Sequence, residues 1–224
     1  MLTFALRSLT AAALLALPLT APAAAASARH DAHAPLPLAA AVELLPSATE
    51  SREGYQRTFF KHWNKGSNPS DGCNTRAEVL IAESRVEPAV EAGCKIVAGE
   101  WYSYYDGVSL TAPGGLDIDH MVPLAEAWDS GASTWTAQRR EAYANDQDAE
   151  HSLVAVSARS NRTKGDKDPA DWTPPLADAR CTYTAHWVAT KLRWQLTVDD
   201  RERGALAELA AGCGQETVDY ETAP

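Results

Sequence analysis

The segment Asp117-Ile118-Asp119-His120-Met121-Val122-Pro123-Leu124 restricts the fold more than any other stretch of the chain. It reads as the end of a short strand with Asp117 and Asp119 on one face, closes on an imidazole, and turns at a proline where a helix can begin. A second stretch answers it. Leu153 to Ser157 is a short apolar strand, and Arg159 to Lys164 reads as the first turns of a helix that stops at Gly165.

Together these stretches carry the parts of a one-metal phosphodiesterase site. Asp119 offers a hard oxygen ligand and Asn161 a second through its amide carbonyl, and two protein ligands leave positions for water and phosphate oxygens. His120 is the candidate general base, a neutral imidazole that can take a proton from water near pH 7. Lys164 lies three residues past Asn161, so a helix puts the two on one face and makes Lys164 the better phosphate contact, with catalytic weight. Asp117 is either a supporting carboxylate or a solvated acid at a strand end. Arg162, Arg159, Lys167, Arg139 and Arg140 are the basic side chains expected on a substrate phosphate.

The first 28 residues carry one basic residue, Arg7, an apolar run from Leu9 to Leu19 and an Ala-rich cleavage signal, the pattern of a secretory signal peptide. That run is shorter than the ~20 residues needed to cross a bilayer. Residues 29–48, rich in Ala, Pro and Leu, read as a linker or pro-segment of low order, and 49–224 as a single domain. The expected location is extracellular, without stable membrane association, and the expected state is a monomer. The net charge of -10 argues against long-range attraction to nucleic acid, although a bound cation and a basic patch act at shorter range.

Export also sets the reading of Cys73, Cys94, Cys181 and Cys213, four cysteines that imply disulfides. Three pairings are open. Proximity in sequence favours Cys73 with Cys94 and Cys181 with Cys213. No C-x-x-C pair is present to build a zinc site.

Along the chain, aromatics at Tyr55, Phe59, Phe60 and Trp63 suggest a helix, and Thr75-x-x-Glu78 a capping box for a helix from about Arg76 to Ser84. Strands are expected over 95–98, 100–105 and 108–111, with Asp106-Gly107 as a tight turn. Helices are expected over about 124–128, 136–144, 184–195 and 200–211. The fold class is therefore α+β, with a small antiparallel sheet and additional helices.

The run Asp119-His120-x-Val122-Pro123-Leu124, with Ala127-Trp128, Ala144-Asn145-Asp146, Leu153-x-Ala155-Val156 and Asn161-Arg162-x-Lys164-Gly165-Asp166-x-Asp168-Pro169-Ala170-x-Trp172-x-Pro174, resembles the secreted HNH-endonuclease-like proteins of bacteria. It is also similar to the nuclease part of modification-dependent restriction enzymes. The likeness runs from about Tyr55 to Cys213. It implies a ββα-metal core gripping one divalent ion, Mg²⁺ first and Mn²⁺ or Zn²⁺ as alternatives, and a nucleic acid substrate, DNA cut with little sequence specificity. HNH sites commonly hold a middle Asn or His just before the Leu of the second strand. Here Ser152 takes that place and His151 precedes it, and strand alternation prevents both from facing the metal.

Other classes fit less well. A metallopeptidase or cell-wall hydrolase built on Asp119, His120 and His151 lacks H-E-x-x-H, and a serine hydrolase lacks G-x-S-x-G. A non-catalytic module that holds an anion through Arg159, Arg162, Lys164 and Lys167 is the remaining alternative.

Overall fold

The computed structural model describes residues 35–224, so the expected signal peptide and residues 29–34 of the following segment lie outside the described residues. In chain order the elements are β1 (Leu36–Pro37), α1 (Leu38–Leu44), α2 (Thr75–Ala82), β2 (Ala89–Glu91), β3 (Lys95–Ala98), β4 (Trp101–Ser103), β5 (Val108–Leu110) and β6 (Leu116–His120). They continue with α3 (Leu124–Asp129), α4 (Ala137–Ala144), β7 (Leu153–Ser157), α5 (Ala158–Lys164), α6 (Arg180–Trp194), α7 (Asp200–Ala211) and β8 (Thr217–Val218). The strands pair two by two and antiparallel, so four small ribbons stand where one sheet was expected. The fold is α+β, stapled by Cys73–Cys94 and Cys181–Cys213 as sequence proximity favoured.

The β6–β7 ribbon sits between two clusters of buried side chains. Leu116 and Ile118 of β6 and Leu153 and Ala155 of β7 pack with Val79, Leu80 and Trp101, while Val154 and Val156 join the larger cluster of Leu124, Tyr143, Trp187, Trp194 and Leu206. Each aliphatic side chain of this size stabilises by about 1.5–3 kcal/mol when fully buried, so a one-residue slip of register would be costly. The register opposes Asp117 to Val156, Asp119 to Val154 and His120 to Leu153. β7 runs directly into α5, whose first turn is capped by the Ser157 hydroxyl accepting from the Ser160 N–H at 3.2 Å.

Three expectations are corrected. The segment read as a low-order linker supplies β1 and α1, and Leu38, Ala41, Val42 and Leu45 are buried in the main core. Its Ala and Leu content is that of a short helix with one apolar face, which α6 and α7 cover. The aromatic run from Tyr55 forms only one 3₁₀ turn, Arg57–Phe59. Tyr55, Phe59 and Phe60 all turn to Trp128, and Trp63 adopts φ +58°, which ends any helix. The cap of α2 is Asn74, whose side chain accepts from the Ala77 N–H at 2.9 Å. Glu78 instead accepts from the Ser67 and Asn68 N–H groups at 2.7 and 3.1 Å, holding the preceding loop.

Candidate active site

Asp117 and Asp119 share a face of β6, and α5 lies across it. Asp119 is buried, and Oδ2 accepts from the Tyr105 hydroxyl at 2.6 Å and from Lys164 Nζ in an ion pair. Both bonds fall on Oδ2; Oδ1 makes none among the described residues. Lys164 is 0% exposed and also donates to the His120 and Met121 carbonyls at 3.0 and 2.8 Å. Asp119 and two carbonyls match the three protons of an ammonium. The rings of Tyr105, Tyr183 and Trp187 surround it at 5.7, 5.8 and 5.7 Å. Burial pushes the Asp119 carboxyl up and the Lys164 ammonium down, and their mutual attraction opposes both shifts.

Lys164 therefore does not stand at the surface to meet a phosphate, as its helical step from Asn161 suggested. The step is right and the depth is not: its stem runs inward, and its head ties the turn after β6 to α5.

Asn161 is brought to Asp117, with its Nδ2 3.4 Å from Asp117 Oδ2. Arg162 Nε lies 3.4 Å from the same oxygen, with its side chain 75% exposed. Asp117, Asn161 and Arg162 thus form the outer edge of the site, above the buried Asp119–Lys164 pair.

His120 has different neighbours from Asp119. Its ring stacks on Trp63 at 5.5 Å and lies near Tyr143 and His62. Nε2 stands 3.0 Å from the Ala144 carbonyl. A carbonyl only accepts, so Nε2 carries the hydrogen and Nδ1 keeps its lone pair, with no partner among the described residues. Burial lowers the pKa to about 3, with the charges of Arg57, His62 and Lys164 adding to the effect.

The remaining expected residues scatter. Ser152 donates to Asp146 at 2.8 Å, inside a buried knot in which Asp146 also accepts from Arg193 and Trp194. The His151 ring centre lies 5.2 Å from that of His186, in a separate cavity. Neither stands among the hydrogen-bond partners of Asp117, Asp119 or Asn161. Arg139 and Arg140 spend their donors on backbone carbonyls, Arg139 on Pro224 and Arg140 on Ala132 and Trp135. Arg159 and Lys167 are exposed on or just after α5. Sequence reasoning missed Tyr105, Arg57 and His62. Tyr105 had one readable trait, a polar tip on an aromatic beside a tight turn, but nothing local says that the turn folds against β6.

Carboxylates do gather elsewhere. Among the described residues, the group whose ligand atoms lie within 4.8 Å of one another is Glu50, Glu126 and Glu202. Lys191 Nζ already fills it, 2.9 Å from Glu126 and 2.5 Å from Glu202. No helix of the described residues is long and apolar enough to cross a membrane.

Residues 74–209 match the family model of the C-terminal domain of GmrSD restriction endonucleases. Over 162 residues the chain is 39% identical to an uncharacterized secreted protein of Arthroderma benhamiae, a match covering 72% of this chain and 77% of that protein. No solved structure matches. The matched span holds Asp117 to His120 and Asn161 to Lys164, and each disulfide joins one cysteine inside it to one outside.

Proposed function

The chain belongs to the family of GmrSD restriction endonuclease C-terminal domains, and from that premise we propose that it is a secreted, metal-dependent endonuclease of the HNH type. On this reading it hydrolyses phosphodiester bonds, in DNA and with little sequence specificity. The single observation that carries it is the state of His120: Nε2–H is engaged by the Ala144 carbonyl, so the free Nδ1 lone pair is the base. The order β6, β7, α5 supports a ββα reading of the core, with His120 ending the first strand and Asn161 on the helix.

The donor set suits a hard divalent cation such as Mg²⁺, with Mn²⁺ or Zn²⁺ as alternatives. Asp119 keeps Oδ1 unbonded while Lys164 and Tyr105 hold Oδ2, and Asn161 keeps its amide oxygen while its Nδ2 faces Asp117. These two side chains, with Asp117 beside them, would hold the ion. When bound, it supplies positive charge to the phosphate and the leaving oxygen.

The chain does the rest. His120 Nδ1 accepts a proton from the attacking water. Its burial keeps the lone pair available at neutral pH, and an arriving phosphate anion raises its basicity. Arg162 and Arg159 meet the phosphate at the exposed edge of α5. Lys164 acts as a positioning residue, fixing Asp119 and the His120 carbonyl together.

Plasmid incubated with the mature protein in Mg²⁺, Mn²⁺, Zn²⁺ or EDTA tests this, beside His120→Ala and with casein and peptidoglycan as control substrates. The expected result is nicking that EDTA abolishes and that His120→Ala slows by about 10²-fold or more. Nicking that survives in His120→Ala overturns the base assignment, and no nicking with any metal overturns the nuclease reading.

A further inference from the structure

A cavity of about 520 Å³ opens beside the free edge of β7, and none of the side chains assigned to phosphodiester chemistry lines it. His151 and His186 line it together with Tyr104, Glu83, Asp146 and Glu150. Three of the six buried side-chain atoms without a hydrogen-bond partner among the described residues belong to it: His151 Nε2, His186 Nδ1 and the Tyr104 hydroxyl. Buried polar atoms are nearly always satisfied in folded proteins, so three such atoms on one cavity mark it as a place for an occupant, water or ligand.

The chemistry of the lining selects that occupant. No lysine or arginine lines the cavity, and Asp146 is neutralised from behind by Arg193 at 2.8 Å. The site offers an anion no charge to bind. Burial holds both imidazoles below the usual histidine range, His186 at about 4, so their lone pairs are free of protons at neutral pH. Glu83 and Glu150 add carboxylates to the wall.

The ring spacing allows one ion to reach both imidazoles. The two imidazole centres are 5.2 Å apart with planes inclined by 22°. An ion about 2.1 Å from a ring nitrogen stands about 3.2 Å from the ring centre, so centres 5.2 Å apart lie within the roughly 6.4 Å that two rings sharing one ion can span. Imidazole nitrogen is a borderline ligand suited to zinc and its neighbours rather than to magnesium.

We propose that His151 and His186 form a second metal site, a two-histidine site for a first-row divalent transition ion such as Zn²⁺, completed by water and independent of the site around Asp119. The Tyr104 hydroxyl, which lines the same cavity, is the donor or acceptor for a bound water. A bound ion would link the start of β7 to α6 and brace the loop that precedes β7.

The test is titration of the mature protein with Zn²⁺ alone, followed by calorimetry, in excess Mg²⁺ to fill oxygen-ligand sites. Co²⁺ is added separately, and its visible absorption reports coordination. One Zn²⁺ per chain is expected, with a four-coordinate Co²⁺ spectrum. His186→Ala and His151→Ala should each weaken Zn²⁺ binding at least tenfold and remove the spectrum, whereas Asn161→Ala should leave both intact. His186→Gln, which keeps a polar side chain of similar bulk, guards against misfolding. It should lose the metal while melting, in EDTA, at the wild-type temperature. No Zn²⁺ binding by the wild-type protein, or binding that survives either alanine substitution, overturns the site; loss of binding in Asn161→Ala would place the ion at the other site and also overturn it.

Discussion

Lys164 and Lys191 are both 0% exposed, and both hold an ammonium 5.7 Å from the ring of Trp187, yet they do opposite work. Lys164 has one carboxylate, Asp119, and burial wins, pushing its pKa down. Lys191 has Glu126 and Glu202 in contact and Glu50 at 4.0 Å; burial pulls its pKa down, but Glu202 and Glu126 outweigh that and raise it. The first knot is balanced and occupies one oxygen of its acid, which leaves the other for a ligand. The second carries a surplus of acid and turns it entirely inward. Proximity of carboxylates is thus a poor guide to a metal centre in this molecule, because the tightest group already encloses its cation.

The largest expected effect comes from breaking the second knot. Lys191→Met leaves Glu126 and Glu202 buried without a counter-charge and should lower stability by about 3–5 kcal/mol in urea unfolding. Adding Glu126→Gln and Glu202→Gln should recover most of the loss. A near-neutral Lys191→Met would show that the knot does not depend on its ammonium, and the contrast with Lys164 would fail.

Lys164→Met should cost less, about 2–3 kcal/mol, since the Tyr105 hydroxyl still serves Asp119 Oδ2. Its effect on plasmid nicking should be the larger of the two, tenfold or more against little change for Lys191→Met in protein kept folded. Equal activity losses in the two variants would remove the distinction between a positioning lysine and a structural one.

Surplus acid also has a pH signature. Burial, with Glu126 adding, pushes Glu50 up from 4.5 to about 8, and Glu202 rises from 4.5 to about 7. Above pH 4.5 the folded chain keeps protons that the unfolded chain has released, so these groups lose stabilising effect as pH rises toward 7–8. His120, at about 3, and His186, at about 4, run the other way, because the unfolded chain alone is protonated up to their ordinary value of 6.5. Past pH 6.5 the histidine trend fades while the glutamate trend persists to about 8, so the melting temperature should fall between pH 6.5 and 8, and Glu50→Gln should flatten the fall. A melting temperature that climbs across that window, or a fall that Glu50→Gln leaves intact, contradicts the protonated-glutamate account.

The sequence carried the local parts of this arrangement and not their depth. The strand ending at His120, the proline before α3, the strand–helix passage at Ser157 and both disulfides were legible, because strand alternation, caps and cysteine spacing are local signals. Burial of Lys164 was not, since a lysine at that position reads as surface until Tyr105, Tyr183 and Trp187 are known to converge on it. The separation of Asp119 from His120 was half legible: alternation puts neighbours on opposite faces, but only the tertiary fold supplies Trp63 and Ala144 on one side and Lys164 on the other. The aromatic run from Tyr55 and the Ala-rich segment before it failed for a shared reason. Long-range packing onto Trp128 and onto α6 and α7 decided their shape, overriding helical spacing in one case and low-complexity composition in the other.

The smallest stability effect sharpens the comparison from outside. Arg162 meets Asp117 at 3.4 Å with its side chain 75% exposed, so Arg162→Ala should change stability by less than about 0.5 kcal/mol. At the site the same side chain has a different consequence. It stands beside Asp117 at the exposed edge of α5, where on the proposed function a phosphate would arrive, so its removal should weaken plasmid binding and reduce the salt dependence of nicking while the unfolding midpoint stays put. Buried and exposed cations along α5 then separate cleanly: Lys164 sets where the acid points, and Arg162 meets what comes to it. Arg162→Ala that destabilises the fold as much as Lys164→Met, or leaves the salt dependence untouched, would erase that division.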